Sequence, residues 1–521
     1  MSEAQTGTII IGGGVAGLAT AALLAHRGHR VTLVEQNSEF GGRAGRFTAH
    51  GFTWDTGPSW YLMPEAYDHF FKQLGTSADQ ELDLVRLDPA YRIFPEHHEP
   101  IDIYTGKAAE LFESLEPGAG ENITRYLEHA KLTYNTAIDY FLYTTFSSFR
   151  PYLKLQLLRH GGILFRLLTT SLKTWVERQF KHPILRQILQ YPAVFLSSSP
   201  ANTPAMYHLL SHTDLTQGVY YPRGGFISFI DALVRLATDA GADLRTNCKA
   251  EKILCDPGFA TGHRSAVHGV RIRNADGTLE TLYSDTVVSC ADLHHTETEL
   301  LEQGFKSYSN RSWKRSDPGI SAVVALLGIK GPLPELLHHQ LILSEDWDAD
   351  FKQIFRNDGV SRSIYISKTS ASDPAMAPEG CENVFVLIPA AAQPDIGHGT
   401  LFSPDGLGSP QVENIIDETI ELIAERAQIP DLAERILSRH SIGPLDYAEQ
   451  YNAWHGSALG LAHTLKQSAL FRGKNVSRKV RGLYYAGATT VPGVGVPMCL
   501  ISAENVLKRI EGDTSTGPTT T

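Results

Sequence analysis

The sequence predicts an α/β fold built around a parallel sheet, and three observations predict it. Near the start, the apolar run at 8–11 is followed by a glycine-rich turn, an Ala- and Leu-rich helix and a second β-branched strand at 30–34, the order of a βαβ unit. Near the end, residues 482–510 again read as a strand, a small-residue turn and a helix. Between these ends, further apolar runs predict a second sheet. The two ends are therefore expected to complete one domain, with a second domain inserted between them.

The composition is that of a folded protein of ordinary polarity. The chain has 521 residues, 42% of them hydrophobic and 20% charged, and this length is enough for two or more lobes. Asp and Glu outnumber Lys and Arg by 57 to 46, which disfavours nucleic acid as a main partner because phosphate binding needs clustered cations. The five cysteines are scattered without a Cys-x-x-Cys pair, so we expect neither a disulfide framework nor a zinc site, and we expect a reducing, cytoplasmic location.

Two apolar stretches are long enough to be considered as membrane-spanning segments. The first, at 8–25, is preceded by Glu3 as its only charged residue, whereas a signal peptide would carry basic residues there. The second, at 485–503, contains Pro492 and Pro497, which a continuous spanning helix would not favour. Neither stretch is predicted to be transmembrane.

The first βαβ unit carries the pattern Gly-x-Gly-x-x-Gly at Gly12, Gly14 and Gly17, with Ala16 inside it. In such a unit the first glycine permits the tight turn, the second lets a pyrophosphate approach the backbone, and the third lets helix and strand pack closely. The helix N-terminus then offers free N–H groups to the phosphates. A plain glycine-rich loop is the alternative, but it does not require the flanking strand and helix. We therefore predict a dinucleotide bound at these four residues.

Glu35 ends the second strand, 18 residues beyond Gly17, where a carboxylate can accept hydrogen bonds from ribose hydroxyls. The same carboxylate disfavours NADP, whose extra phosphate would face it. Gly41, Gly42 and Arg43 follow closely, and this run resembles a second fingerprint of FAD oxidoreductases of the amine-oxidase and carotenoid-desaturase type. That resemblance implies that Gly42 and Arg43 support the pyrophosphate and ribityl chain of FAD. The alternative for Arg43 is a surface salt bridge.

The C-terminal strand and turn contain Gly487, Gly495, Val496 and Pro497, just before a predicted helix at 498–510. Proline at a helix start and the small residues before it leave N–H groups free for an anion or a flavin carbonyl. This segment resembles the C-terminal signature of the bacterial-type phytoene desaturases, the flavoprotein carotenoid desaturases. Other stretches resemble that family in the same order along the chain, at 221–225, 373–380, 456–460 and 467–472.

The resemblance to these desaturases covers residues 8 to about 510 and implies an FAD-dependent oxidoreductase that acts on a carotenoid. It implies hydride transfer from an allylic carbon to N5 of FAD, followed by loss of a proton from the vicinal carbon, and it assigns no catalytic side chain. It places the adenine near the strand at 249–253, with Ala250 offering backbone hydrogen bonds. The residues it places around the flavin ring and ribityl chain are Gly57, Ser59, Gly487, Gly495 and Val496. The predicted activity is the stepwise dehydrogenation of phytoene towards lycopene.

The predicted architecture is a Rossmann-like FAD-binding domain of the amine-oxidase and carotenoid-desaturase type, with a second mixed-sheet substrate domain and a helical membrane-contact region. The FAD-binding domain comprises residues 1–85, 219–300 and 476–511. The substrate domain spans 301–475, with strands at 321–327, 363–366 and 384–388 and a core helix at 412–428. Residues 86–218 form the helical region for membrane contact and substrate access, and residues 512–521 a disordered tail.

Residues 140–176 contain no Asp or Glu although the whole chain is acidic. Cations among Leu, Ile, Phe and Trp are typical of helices lying on an anionic membrane surface, and Gly161 and Gly162 are expected to separate two such helices. These cations are Arg150, Lys154, Arg159, Arg166 and Lys173. The alternative is an amphipathic region packed on the protein's own core. The prediction is a cytoplasmic protein attached peripherally to a membrane, with a hydrophobic carotenoid as substrate and Arg150 at the mouth or against a headgroup.

Residues 191–218 are almost uncharged and hold Phe195, Met206, Tyr207 and Leu210. Such a block predicts either the lining of a binding tunnel or ordinary core. His208 and His212 lie four residues apart without a third ligand nearby, so no metal site is predicted.

Three other readings fit parts of the sequence. A desaturase of a C30 or already desaturated carotenoid, a ketolase or an isomerase would use the same scaffold. A non-catalytic prenyl-binding protein, like the Rab dissociation inhibitors, would not need the intact glycine pattern and Glu35. An amine oxidase would need an aromatic pair flanking the flavin, which the sequence does not reveal.

Overall fold

The computed structural model of the chain describes residues 7–148, 161–256, 265–355 and 359–520. Its strands in chain order are β1 (Thr8–Ile11), β2 (Val31–Val34), β3 (Arg46–Ala49), β4 (Phe52–Asp55), β5 (Leu84–Arg86), β6 (Tyr91–Pro95), β7 (Ile101–Ile103), β8 (Tyr220–Pro222), β9 (Asp243–Arg245), β10 (Lys249–Asp256), β11 (Ser265–Arg273), β12 (Leu279–Tyr283), β13 (Thr286–Ser289), β14 (Ile320–Lys330), β15 (His339–Leu343), β16 (Ile364–Ser367), β17 (Cys381–Ala391), β18 (Ile436–Ile442), β19 (Val480–Arg481) and β20 (Leu483–Tyr485).

Its α-helices are α1 (Val15–His26), α2 (Pro64–Gln73), α3 (Ala78–Glu81), α4 (Ala108–Leu115), α5 (Ala119–Ala137), α6 (Gly161–Thr169), α7 (Leu172–Glu177), α8 (Pro183–Gln190), α9 (Leu210–His212), α10 (Phe226–Asp239), α11 (Leu293–His295), α12 (Asn310–Trp313), α13 (Trp347–Phe355), α14 (Pro410–Arg426), α15 (Pro444–Tyr451) and α16 (Val496–Glu511). Short 3-10 and π turns connect several of them.

A five-stranded parallel sheet, in the order β20, β13, β1, β2, β9, is the centre of the first domain. All four residues of β1 are buried, as expected for a β-branched strand with helices on both faces of its sheet. Helix α1 packs against both α10 and α16. Since β20 and α16 come from the end of the chain, the two ends complete one domain, as the sequence predicts.

A seven-stranded mixed sheet, in the order β18, β14, β17, β16, β15, β6, β7, is the centre of the second domain. The predicted strands at 321–327, 363–366 and 384–388 correspond to β14, β16 and β17. The predicted core helix is α14, which buries Ile416, Ile420 and Ile423 on one face. A smaller sheet of β10, β11 and β12, with β19 beside β11, lies next to the first domain's sheet, where β11 contacts β13.

Strands β6 and β7 fall in residues 86–218, for which the sequence predicts a helical region. Strand β6 pairs in parallel with β15, so that Arg92 lies beside Gln340. A partner so distant along the chain leaves no periodic signal near β6, which is why the sequence does not predict this edge of the sheet.

The region predicted to contact a membrane is described only in part. Arg150, Lys154 and Arg159 lie outside the described residues, so the expectations placed on them are not addressed. Among the described residues α6 covers Gly161–Thr169, and since the residues before it lie outside the described part, the predicted break at Gly161 and Gly162 is not addressed. Downstream, Leu172 and Val176 of α7 are buried in the protein's own core. No helix among the described residues is long and apolar enough to cross a membrane.

The tail for which the sequence predicts disorder lies against α16 up to residue 520. The N–H of Thr519 donates to Glu504 Oε1 at 2.7 Å. The ammonium of Lys508 donates to the carbonyl of Gly517. Glu504 and Lys508 are buried charges that need partners, and the tail supplies part of them. Composition alone does not reveal this requirement.

Candidate functional site

One cavity of about 550 Å³ brings the two ends of the chain together between the parallel sheet and the mixed sheet. Its walls include the turn after β1, the loop after β2, strand β10 and the turn before α16. Of the residues that the sequence assigns to cofactor binding, all but one line it: Gly12, Gly14, Ala16, Glu35, Gly42, Arg43, Gly57, Ser59, Ala250, Gly487, Gly495 and Val496.

Gly17 is the exception, and its position explains why. A Cβ atom at Gly17 would lie 1.8 Å from the carbonyl oxygen of Gly12, so no side chain fits between helix and strand. At Gly14 the nearest protein atom to an added Cβ is Gly41 O, 3.8 Å away, and this residue borders the cavity. The turn therefore presents bare backbone to the cavity at Gly14, which is the surface that a pyrophosphate requires.

Two helices begin at this cavity, one from each end of the chain. Helix α1 starts after Gly14 and α16 after Gly495, and neither N-terminus is capped by a side-chain hydrogen bond. Uncapped N–H groups and the helix dipole attract anionic or carbonyl oxygens. The donors present fit FAD, which carries a pyrophosphate at its centre and carbonyl oxygens on its flavin ring.

Glu35 lies on the cavity wall at the end of β2. Its Oε2 accepts the N–H of Gly13 at 2.6 Å and its Oε1 accepts the N–H of Asn37 at 2.8 Å. Burial raises the pKa of this carboxyl, and the backbone N–H donors counteract part of that effect. Each oxygen keeps a further lone pair, so the carboxylate can still accept hydrogen bonds from ribose hydroxyls. Ala250 of β10 lines the same end of the cavity.

Arg43 extends from the loop after β2 into the cavity. Its Nη2 donates to the carbonyl of Ser457 at 3.2 Å, while its buried Nε has no hydrogen-bond partner among the described residues. It forms no ion pair in the described part of the chain, so the alternative of a surface salt bridge does not account for its position. A buried, unpaired guanidinium donor beside this cavity is available to a phosphate or to a ribityl hydroxyl.

The turn before α16 is held by two buried polar residues whose roles the sequence analysis does not identify. Arg472 donates to the carbonyls of Leu461, Ala488 and Thr490 at 3.0, 2.6 and 3.0 Å. Asn475 donates to the carbonyls of Tyr485 and Val491, both at 3.1 Å. These bonds join the turn to the preceding loop, so that the site on this side is built before any ligand binds. Arg472 ends the stretch 467–472 that resembles the desaturase family, but the resemblance assigns it no role, and Asn475 lies outside that stretch.

Beyond the glycine turns, the cavity is walled by apolar side chains. Four of these side chains belong to the almost uncharged block at 191–218: Phe195, Met206, Tyr207 and Leu210. Because they line the cavity, this block forms tunnel wall and is not core alone. The others come from distant parts of the chain, among them Trp60, Phe141, Leu341, Tyr365 and Phe385. An apolar arm of this kind fits a long hydrocarbon.

A chain of buried polar groups crosses this apolar arm. Tyr365 OH lies 2.6 Å from Ser59 Oγ and 2.7 Å from His339 Nδ1. The ring of Trp60 stacks on His339 with their centroids 4.7 Å apart. Burial holds the pKa of His339 well below its usual value, so this imidazole is neutral. The family resemblance places Ser59 in the flavin environment, whereas no pattern in the sequence predicts Tyr365 or His339 beside it.

Asp214 is a second buried polar group near the cavity. Its Oδ2 accepts hydrogen bonds from Tyr91 OH at 2.9 Å and from Tyr191 OH at 2.8 Å, while Oδ1 has no partner among the described residues. Burial raises the pKa of this carboxyl to about 7, although both tyrosines act against the shift. Since Tyr191 lines the cavity, the carboxyl holds part of the tunnel wall in place.

Comparison with known proteins identifies a matching family and several similar proteins. The family described as flavin containing amine oxidoreductase matches residues 15–510. The chain is 39% identical over 510 residues, 97% of its length and 98% of the relative's, to a carotenoid 3,4-desaturase of Haloarcula japonica. It is 31% identical over 511 residues, 96% of its length and 93% of the relative's, to a zeta-carotene-forming phytoene desaturase of Myxococcus xanthus. Among solved structures, a wild-type putrescine oxidase with putrescine bound superposes with a TM-score of 0.61 and 14% identity, covering 98% of this chain and 99% of that one.

Proposed function

The chain belongs to the family of flavin-containing amine oxidoreductases, and from this membership we propose that it is a carotenoid desaturase drawing its substrate from a membrane. It is an FAD-dependent oxidoreductase acting on CH–CH groups. The observation that carries the proposal is the cavity, in which two uncapped helix N-termini meet an apolar arm. Neither part alone would distinguish a desaturase from other FAD proteins, but their continuity fits a hydrocarbon oxidised by a flavin.

When bound, FAD supplies the hydride acceptor, N5 of its ring. The protein's own residues bind the cofactor and the substrate and orient them relative to each other. We assign the turn at Gly14 and the N-terminus of α1 to the pyrophosphate, Glu35 to the ribose, and Gly487 and Val496 to the flavin side, and their positions on the cavity wall support this assignment. The apolar arm holds a polyene against that side and excludes water, which converts a bimolecular encounter into a positioned one.

The cavity wall offers few groups for proton transfer. Its only described carboxylates are Glu35 and Asp292, and Glu35 is committed to the nucleotide end. Along the apolar arm, the hydroxyls of Ser59, Tyr207 and Tyr365 line the cavity and carry exchangeable protons. A conjugated chain spreads positive charge along its length, so loss of the second hydrogen as a proton does not require a strong base.

Two substrates are consistent with this site. The first is phytoene, dehydrogenated stepwise towards lycopene, as the family resemblance in the sequence implies. The second is an already desaturated carotenoid, and it is favoured by the greater identity with the carotenoid 3,4-desaturase, 39% against 31% with the phytoene desaturase. The cavity's apolar walls accept either, since the two differ in conjugation and not in polarity.

Turnover in lipid separates these substrates. The FAD-loaded protein is incubated in liposomes with phytoene, and in parallel with lycopene, and the products are identified by chromatography. A product with additional conjugated double bonds from either substrate supports the desaturase. Release of hydrogen peroxide with polyamines, with no change in any carotenoid, would favour an amine oxidase and reject the proposal.

The peripheral membrane contact proposed for residues 140–176 rests on their composition. The span has no acidic residue, and its described part includes Arg166, which lies over the ring of Trp175 at 5.6 Å. Lys173 is engaged with Asp348 at 2.5 Å and is less available to headgroups. The contact is therefore assigned to the part of the span before α7.

A further inference from the structure

The loop at residues 465–471, called the rim below, exposes an unusual set of apolar side chains. Leu465 is 41% exposed, Leu470 43% and Phe471 71%. Three large apolar residues within seven positions are costly to leave in water, and exposed clusters of this kind mark interaction surfaces. Their exposure requires an explanation that a single exposed leucine would not.

The rim lies at the edge of the cavity. Ala469, between the exposed leucines, lines the cavity wall. Just before the rim, His463 also lines the cavity; its Nδ1 lies 2.6 Å from Tyr207 OH, and its Nε2 accepts the N–H of Val494 at 3.1 Å. The rim is therefore tied both to the apolar arm and to the turn before α16. A hydrocarbon leaving the cavity at Ala469 would meet Leu470 and Phe471.

Several cations lie near the rim although the protein is acidic overall. From Gln450 to Ala503 the sequence has no Asp or Glu and has six Lys and Arg residues, of which Arg472 is buried. Lys466 of the rim is exposed and forms no ion pair within the described residues. Gln467 binds the backbone of Asp317 at 2.6 and 2.9 Å, and the exposed Lys314 and Arg315 precede this single acidic residue in the chain.

The rim also lies close to helix α6, which belongs to the acid-free region at 140–176. On α6, Leu167 packs with Met206 and the partly buried Tyr207, the residue that contacts His463. The same helix exposes Arg166 and also Ile163, which is 41% exposed. Two separate segments thus present apolar side chains with cations on either side of Tyr207.

We propose that the rim docks on an anionic lipid bilayer, with Leu470 and Phe471 inserted among the lipids and Lys466 among the headgroups, and that the cavity opens into the bilayer there. Apolar side chains buried at the acyl boundary and cations at the headgroups are the two contributions that hold a peripheral protein on such a surface. This surface lies outside residues 140–176. Its role in substrate supply rests on the proposed function, whereas the docking itself does not.

Vesicle binding tests the docking without turnover. The full-length, FAD-loaded protein is sedimented with phosphatidylcholine vesicles, with or without phosphatidylglycerol. The double variant Leu470→Ser with Phe471→Ser removes the apolar tip. The matched control is Leu279→Ser with Tyr283→Ser on β12, where the two side chains are 54% and 75% exposed. Each double variant replaces one leucine and one aromatic residue, and the exposures of the replaced side chains are similar in the two variants. The control residues lie away from the cavity.

We expect the rim double to lower the ratio of bound to free protein by at least about tenfold, and the control double to leave it unchanged. Lys466→Glu should lower binding roughly fivefold or more on anionic vesicles and have a smaller effect on neutral ones. Wild-type binding by the rim double would overturn the proposal. So would unchanged vesicle binding with a changed oligomeric state, because the rim would then cover a second copy of the chain.

A detergent assay separates this inference from the proposed function. With carotenoid presented in detergent micelles, the rim double should keep wild-type turnover, because its cavity is intact. If the wild type desaturates no carotenoid yet binds vesicles through the rim, the proposed function fails and the docking stands. If the wild type desaturates a carotenoid and the rim double binds vesicles as the wild type does, the docking proposal fails and the proposed function stands.

Discussion

Two glycines three residues apart in the same turn have different roles. Gly14 faces the cavity with open space beyond it, whereas Gly17 is closed off by the carbonyl of Gly12. The pattern predicts both glycines, because both roles are local properties of one βαβ unit. The pattern does not show which of the two glycines can be replaced without unfolding the protein. Because Gly14 has space for a side chain and Gly17 does not, variants at the two positions can be compared.

Replacement of Gly14 by Ala should weaken FAD binding without unfolding the protein. The added methyl group meets no protein atom within 3.4 Å, but it occupies the surface needed by the pyrophosphate. We expect the dissociation constant for FAD to rise at least about tenfold, with far-ultraviolet circular dichroism unchanged. Titration of the apoprotein with FAD, followed by flavin fluorescence, measures this.

Gly17→Ala is the comparison for that variant. A Cβ atom 1.8 Å from Gly12 O forces α1 away from β1, so we expect a loss of roughly 1–3 kcal/mol or more in the free energy of unfolding. If Gly17→Ala is as stable as the wild type, or if Gly14→Ala binds FAD normally, the assignment of the two roles is wrong.

Asp214 gives the protein a pH-dependent stability. Its pKa is about 7 in the folded state against 3.8 without burial, so the folded state holds the proton more tightly between pH about 4 and about 7. Stability therefore falls as pH rises through that window. Asp214→Asn keeps the shape, has no proton to lose, and should flatten the dependence by up to about 1.4 kcal/mol per pH unit.

Thermal unfolding of wild type and Asp214→Asn between pH 5 and pH 8 measures the effect. Asp55 also has a raised pKa of about 7 and titrates in the same window, so a residual slope is expected. Identical slopes for the two proteins would show that Asp214 is ionised throughout, and would reject this account of its environment.

At the scale of elements, the turn before α16 depends on a residue outside it. Arg472→Met would leave the carbonyls of Leu461, Ala488 and Thr490 without their donor in a buried site. We expect a loss of about 3–5 kcal/mol in the free energy of unfolding and weaker FAD binding. Arg472→Lys should restore little, because an ammonium cannot span carbonyls on both sides of the turn.

Arg478→Met is the control for that prediction. Arg478 is exposed and lies over the ring of Tyr308 at 5.5 Å, so its loss should change the free energy of unfolding by about 0.5 kcal/mol or less. Urea unfolding of the three variants measures the differences. Equal effects of the two methionine substitutions would contradict a specific role for Arg472.

Most elements that the sequence predicts are those with a local signal. Strands β1, β14 and β17 are long or β-branched, and α16 is marked by Pro497, although it begins at Val496 rather than 498. Elements that depend on distant partners are missed. Strand β6 exists because it pairs with β15, and the chain Ser59–Tyr365–His339 joins three separate segments. No window of sequence contains both members of such a pair.

At the scale of the whole molecule, the two ends of the chain make one nucleotide site and the middle makes one apolar arm. Strand β20 is separated from β1 only by β13, so α1 and α16 open on the same cavity. The glycine patterns at both ends predict this closure. They do not predict the arm, whose walls are collected from the mixed sheet and from residues 191–218.

FAD bound between those helix N-termini is proposed to have its reactive side towards the apolar arm. Anaerobic mixing of the FAD-loaded protein with a panel of linear carotenoids in lipid, followed by absorbance, tests this orientation. We expect at least one carotenoid to bleach the oxidised flavin while a more conjugated carotenoid forms in equal amount. A flavin that every carotenoid leaves oxidised, yet that a chemical reductant bleaches at once, would show that the reactive side does not face the arm.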